Sequence, residues 1–352
     1  MGNSQSIQIE SLKVIPFFDA SAWSPGRAIA GLHFFVKGEW HCWFPAGNEL
    51  RRIYAWPSEA SYFGDAPERQ TDQSFQLLNL IHQRSSFPEM DRASHGIWND
   101  FQNFATSLAK INLFYETSKC SKGTETTRFV QTEIEYIVMV ARGVYDLLQE
   151  MIAAHWDRIE LHSSTTRKRS LPKSFADMTL KGEEPRTSDE LLQRYGLPKS
   201  VGDWYVSQTP FFKWLRSLRN RMAHGGSSPV QLLFCNERGY AIQRGEKPWC
   251  ELYDWPKEVE LQNGLVPIRP AICTIIQNTV AVTDSFSQLL ERTIQLPKEL
   301  FPGLKYYSRG YHDREFHQIG EVLENSWWCE KRLPDLLVEN KPQAPIFPEA
   351  SS

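Results

Sequence analysis

The chain has 352 residues, 41% apolar and 23% charged, enough for a substantial core in one large domain or two smaller ones. A formal net charge of −3 excludes a global basic field for nucleic acid, so any such contact must be local. The six cysteines (Cys42, Cys120, Cys235, Cys250, Cys273 and Cys329) are scattered, with no Cys-x-x-Cys pair. That favours free, mostly buried thiols in a reducing compartment over a disulfide frame or a zinc site.

No apolar run reaches membrane-spanning length, and the N-terminus lacks a basic-then-apolar signal pattern. The opening Met1-Gly2-Asn3-Ser4-Gln5-Ser6 fits the form of an N-myristoylation signal, a match that arises often by chance. The expectation is a soluble cytoplasmic protein with no membrane partner and no cofactor. The abundant aromatics (12 Trp, 12 Tyr, 20 Phe) are expected to stiffen its core.

In chain order, residues 12–56 read as strands: "LKVIPFF", "AIAGLHFFVKG", "WHCWF" and "LRRIYAW" are β-branched or aromatic runs between Pro, Gly and Asn. After Pro67 the pattern turns helical, with a short candidate at 71–83 and a longer one at 91–117. The clearest element is 127–160, where Val130, Ile134, Ile137, Ala141, Val144, Leu148 and Met151 recur at alternating steps of four and three. That is the stripe of a bundle seam.

A polar, basic stretch (162–188) then makes a long connection, either mobile or functional. Helix resumes at 188, and Thr209-Pro210 reads as an N-cap and first helical position. The stripe that follows is Phe211, Leu215, Leu218 and Met222, and Gly225-Gly226 ends it. Residues 229–267 return to strand character, 269–296 form a last long helix, and the tail from Asn340 is expected to fray.

The predicted architecture is mainly α: an antiparallel helical bundle with accessory β-rich segments, free to pair into one sheet beside it. The divisions are a β-rich segment at 1–70, the first part of the bundle at 71–228, and a β-rich insertion at 229–267. The last bundle helix follows at 268–300, then a C-terminal extension at 301–352.

"SLRNRMAHGG" (217–226) is the stretch richest in chemistry. On a helix Asn220 and His224 share a face, with Lys213, Arg216 and Ser217 nearby, while Arg219 lies roughly 140° around from His224. Either the last turn distorts at the glycines, or a second copy of the helix completes the site across a two-fold axis. A histidine at a helix C-terminus can give or take a proton near neutral pH. A guanidinium can grip a phosphate and offset charge developing on it.

"RNRMAH" resembles the motif of the HEPN superfamily (higher eukaryotes and prokaryotes nucleotide-binding domain): Arg, a short spacing, then His, with a polar residue favoured after the arginine. "VARGVYDLL" (140–148) on the preceding long helix is similar to its counterpart in bacterial members. The resemblance covers about 90–296 but rests sharply on six residues; the β segments and the 162–188 connection depart from the pattern.

The resemblance implies a four- or five-helix bundle that dimerises into a composite ribonuclease site. Arg219 and His224 would be catalytic, with Asn220 orienting and no metal. It also implies an RNA substrate, a homodimer and, in related proteins, a toxin or phage-defence role with an antitoxin or regulatory partner. The alternative is a non-catalytic dimeric module that binds RNA, a nucleotide or a protein.

Arg142 and Asp146, four apart on the long helix, either form an ion pair or join Tyr145 in supporting the site. Arg167, Lys168 and Arg169, with Arg216 and Arg221 on the motif helix, are either solvated charges or phosphate contacts. Arg27 and His33 also satisfy the motif spacing but lie in strand-like sequence. In "YHDREFHQIGE" (311–321) His312 and His317 stand five apart, which disfavours a shared metal. "SWWC" (326–329) reads as a docking or core element.

Overall fold

The computed structural model describes residues 12–24, 27, 29, 32–46, 49–54, 61–84, 88–120, 125–162, 168–225, 230, 233–236, 239–309 and 313–324. At 45, 88–89, 91, 119–120, 125, 224–225 and 313–316 it describes the backbone only.

All seven residues of the predicted stripe, Val130 to Met151, are at most 1% exposed. They lie on helix α3 (Glu125–His155), which follows α1 (Gln76–Arg84) and α2 (Pro88–Cys120). α3 packs along α2, and also against α6 (Lys199–Gly225) and α8 (Arg269–Thr293). Contacts fix the directions. Ser107 and Lys110 on α2 bond Glu133 on α3, whereas Gly96 lies against Leu147, so the two run antiparallel. Tyr205 on α6 donates to Gln149 on α3, while Phe212 meets Tyr145 one to two turns on, so that pair is antiparallel too.

Among the described residues two sheets of three or more strands flank the helices. The larger runs in the order β10-β4-β1-β2-β3, from β1 (His33–Val36), β2 (Glu39–Ala46), β3 (Glu49–Ile53), β4 (Ser61–Gly64) and β10 (Lys305–Ser308). Lys37-Gly38, both at positive φ, form the two-residue turn between β1 and β2 that matches strand twist. β4 pairs parallel to β1 and antiparallel to β10, so the chain's late segment closes the sheet its first segment opens. The second sheet, β7 (Phe234–Asn236), β8 (Gly239–Gln243) and β9 (Leu265–Pro267), is antiparallel and separate. The two β-rich segments therefore do not join into one sheet.

The local expectations fare unevenly. The break falls earlier than the expected new start at Thr209: α5 (Ser188–Tyr195) has a Thr187–Glu190 capping box and ends at a left-handed Gly196. Thr209-Pro210 starts no helix, because α6 runs through it from Lys199. The proline leaves one carbonyl without its N–H, and the Thr209 hydroxyl bonds the Tyr205 carbonyl beside it. "CELYDW" contains the short helix α7 (Trp249–Leu252), and "VELQNG" forms 3-10 turns rather than strand.

"LKVIPFF" is turn, not strand, with Ile15 and Phe18 closing back onto Leu12 and Ile15. The described part of the 162–188 connection folds as α4 (Phe175–Thr179) and the hairpin β5–β6 (Leu180–Lys181, Glu184–Pro185), burying Phe175 and Met178. Past α8, beyond β10, α9 (Asp313–Leu323) packs on α2. The tail from Asn340, "SWWC" and His312 lie outside the described residues.

Arg309 binds the C-terminal strand down. Its guanidinium donates to both oxygens of Asp72 at 3.0 and 2.8 Å and pairs with Glu68. Tyr62 donates to the same Asp72 carboxylate at 2.7 Å. The Arg309 and Asp72 side chains are only 2% and 1% exposed. Arg309→Met would strand a buried carboxylate and is expected to cost about 3–5 kcal/mol in urea unfolding. The double variant Arg309→Met/Asp72→Asn should recover part of that.

Asp284 on α8 supplies a pH signature. One of its carboxylate oxygens is buried without a hydrogen bond, and burial pushes its pKa up to about 6, against a bond from the Gln76 backbone. A raised carboxyl stabilises the fold when protonated. That contribution is complete below the unfolded value, 3.8, and lost as pH rises through about 6. Asp284→Asn is expected to gain stability relative to the native chain between about pH 4 and 8, followed by melting temperature.

Candidate active site

The motif sits on the last two turns of α6, which ends at Gly225 as the glycine pair implies. Phe212, Leu215 and Leu218 are buried, and Phe211 and Met222 half-buried, so one face of the helix is fixed against the core. Arg219 lies seven residues past Phe212, which by the antiparallel register puts it level with Val138 of α3. Arg219 is half-buried, and its Nη1 donates to Asn220 Oδ1 at 3.4 Å. Among the described residues no carboxylate pairs with it. The backbone of His224 belongs to the final turn; its side chain lies outside the described residues.

Around this turn the charges divide into tied and exposed. Arg216 pairs with Glu183 at 3.1 Å, and Lys213 donates to the Glu183 carbonyl at 2.9 Å, fixing the β5–β6 hairpin on the motif helix. Arg221 is exposed. On α3, Arg142 and Asp146 form the ion pair expected from their spacing, and Arg142 also lies 5.8 Å over the Phe212 ring. Asp146 further accepts from the Phe175 N–H at 3.2 Å, which anchors α4. The pair thus braces the 168–188 connection beside the motif helix.

Tyr145 is fully buried among Phe175, Phe211 and Phe212, and burial pushes its phenol pKa up. Its hydroxyl has no hydrogen-bond partner among the described residues.

The basic run is elsewhere. Lys168 donates its ammonium to the Trp156 and Ile159 carbonyls at the far end of α3 and lies 5.1 Å over the Trp156 ring. Burial lowers its pKa, with Asp157 and Glu160 opposing. Arg169 reaches the Arg194 carbonyl at 3.4 Å, and Arg167 lies outside the described residues. Lys168 and Arg169 are not brought to the Arg219 turn. Arg27, the other arginine at motif spacing, is buried and donates to the Ala22, Lys298 and Gln83 carbonyls, a structural staple. His317 pairs with Glu321 at 3.5 Å, and among the described residues no cluster could hold a metal ion. Cys42 and Cys273 are buried, Cys235 and Cys250 exposed, and all four are free.

α3 also leaves Phe129, Tyr136 and Met139 exposed, at 53%, 42% and 53%. Steps of seven and three put them on one face, at the level of the Arg219 turn. Among the described residues no helix is long and apolar enough to cross a membrane. No family model, curated protein or solved structure matches the chain.

Because the Tyr145 hydroxyl is buried unpaired, Tyr145→Phe is expected to leave stability unchanged or raise it by about 1 kcal/mol in urea melts. It should leave any RNA cleavage intact; a large loss of activity would make the phenol part of the chemistry.

Proposed function

We propose that this chain is a metal-independent endoribonuclease of HEPN type, acting as a homodimer, with Arg219 and His224 catalytic and Asn220 orienting. The observation that carries the reading is the state of Arg219: a half-buried arginine near a helix end, donating to the neighbouring amide and paired with no carboxylate among the described residues. A structural arginine in such a place usually finds an acidic partner, whereas one that must meet a phosphate has to keep its donors for it.

In the proposed reaction the ribose 2′-hydroxyl attacks the adjacent phosphorus and the 5′-oxygen leaves. The products are a 2′,3′-cyclic phosphate and a 5′-hydroxyl. His224 moves the proton, and Arg219 offsets the charge that gathers on the equatorial oxygens. The angular separation of Arg219 and His224 on one helix is met by a second copy, and the exposed Phe129, Tyr136 and Met139 face supports that dimer. A toxin or phage-defence role, with an antitoxin or regulatory partner, belongs to the same proposal.

The test is to incubate the protein with RNA in EDTA. Cleavage should persist, leave cyclic phosphate ends, and fall by about 100- to 10,000-fold in His224→Ala and Arg219→Ala. Mixing the two variants should restore activity if each site draws one group from each protomer. Retained RNA binding with no turnover in the native chain would instead make it a non-catalytic binding module.

A further inference from the structure

At the opposite end of α3 from the motif lies a cavity of about 400 Å³. It is enclosed by the end of α1 (Leu80, Ile81), the end of α3 and its extension (Met151, Ile152, Ile159) and the end of α8 (Leu290, Ile294). From Val138, the level of Arg219, to Met151 is 13 residues, about 20 Å along the helix, so the cavity is a place of its own. Its size falls in the range that holds a small molecule.

The wall and the rim differ in chemistry. Every buried lining residue is apolar except His155. An apolar wall of this extent offers too few partners for a nucleotide or sugar, whose polar groups would be left without hydrogen bonds. It suits a hydrocarbon body.

The rim carries the guanidiniums of Arg84 and Arg158, with Glu160 beside them. Arg84 donates to the Pro297 carbonyl at 2.6 Å and pairs with Glu299 at 3.1 Å. Behind it stands the buried Arg27, held by backbone carbonyls; burial, and after it the neighbouring Arg84 charge, lowers its pKa to about 10. Lys168 faces Asp157 and Glu160 at the same end. Among the described residues only Arg84 pairs with Glu299; Arg27, Arg84, Arg158 and Lys168 at this end face Asp157, Glu160 and Glu299, four cations against three anions. The local field favours an anion at the entrance.

We infer that this cavity binds a medium-chain fatty acid, the acyl chain lying along Met151, Ile152, Leu290 and Ile294 and the carboxylate at the mouth between Arg84 and Arg158. The inference is independent of the ribonuclease reading.

Isothermal titration with decanoate and with decanol, both below their aggregation limits, tests it. Decanoate should bind saturably, about tenfold or more tighter than decanol, a difference of about 1.4 kcal/mol. Arg158→Gln, an exposed position, should erase that preference while leaving decanol binding unchanged. Leu290→Trp should remove both by filling the cavity, and Leu290→Phe serves where the larger ring prevents folding. Absence of saturable decanoate binding to the native chain overturns the inference. So does equal binding of the alcohol, or binding indifferent to the Leu290 variants.

Discussion

The structure depends on burying one helix on three sides. α3 carries apolar residues at every step of its seam, and 31 helical residues span about 46 Å. No single partner covers such a surface, so α2, α6 and α8 all lie against it. Two of them are locked in register by a polar contact at a definite height: α2 through Ser107 and Lys110 on Glu133, α6 through Tyr205 on Gln149. Hydrophobic burial supplies the drive and is indifferent to small slides. Those buried polar pairs are not, since a slip of one turn would leave them without partners. The position of Arg219 beside α3 follows from that register.

The ends of the chain are held by another device. Arg27, Gln83 and Arg309 reach across long sequence separations to bind backbone or carboxylate. Gln83 alone bonds the Phe301 and Leu304 carbonyls and the Phe301 N–H. Buried loops carry unsatisfied backbone groups unless side chains supply partners. The segment 297–304, which has no regular structure to pair its own, draws those partners from α1. This explains why Arg27 is a staple despite standing at motif spacing from His33: its five donors are needed inside the fold.

What the sequence disclosed was local. The α3 seam and the Arg142–Asp146 ion pair each rest on residues within a turn or two of one another. Arg219 and Asn220, adjacent in sequence, met as neighbours in the fold. What it withheld was non-local or ambiguous. "CELYDW" and "VELQNG" mix strand-favouring side chains with short length, and tertiary packing turned them to helix and 3-10 turns. β10 is four residues whose partner, β4, lies some 240 positions earlier, beyond the reach of any periodicity. Lys168 looked like a solvated charge in a polar loop, yet the open carbonyls at the end of α3 claim it. The cavity was invisible for the same reason: its wall is contributed by segments near 80, 150 and 290, each apolar for ordinary core reasons.

The motif and the cavity share α3 as a common wall, but a shared wall is not by itself a coupling. One site informs another only through an element with two arrangements of nearly equal energy. A close-packed seam with locked register is the opposite kind of element. A molecule filling the cavity would replace contacts that its apolar lining lacks when empty, and so add to the stability of the folded state in proportion to its occupancy. That gain would act on the whole fold, including the turn that carries Arg219. A bound molecule would therefore change how much folded protein exists and leave the arrangement at the other end of the helix as it is.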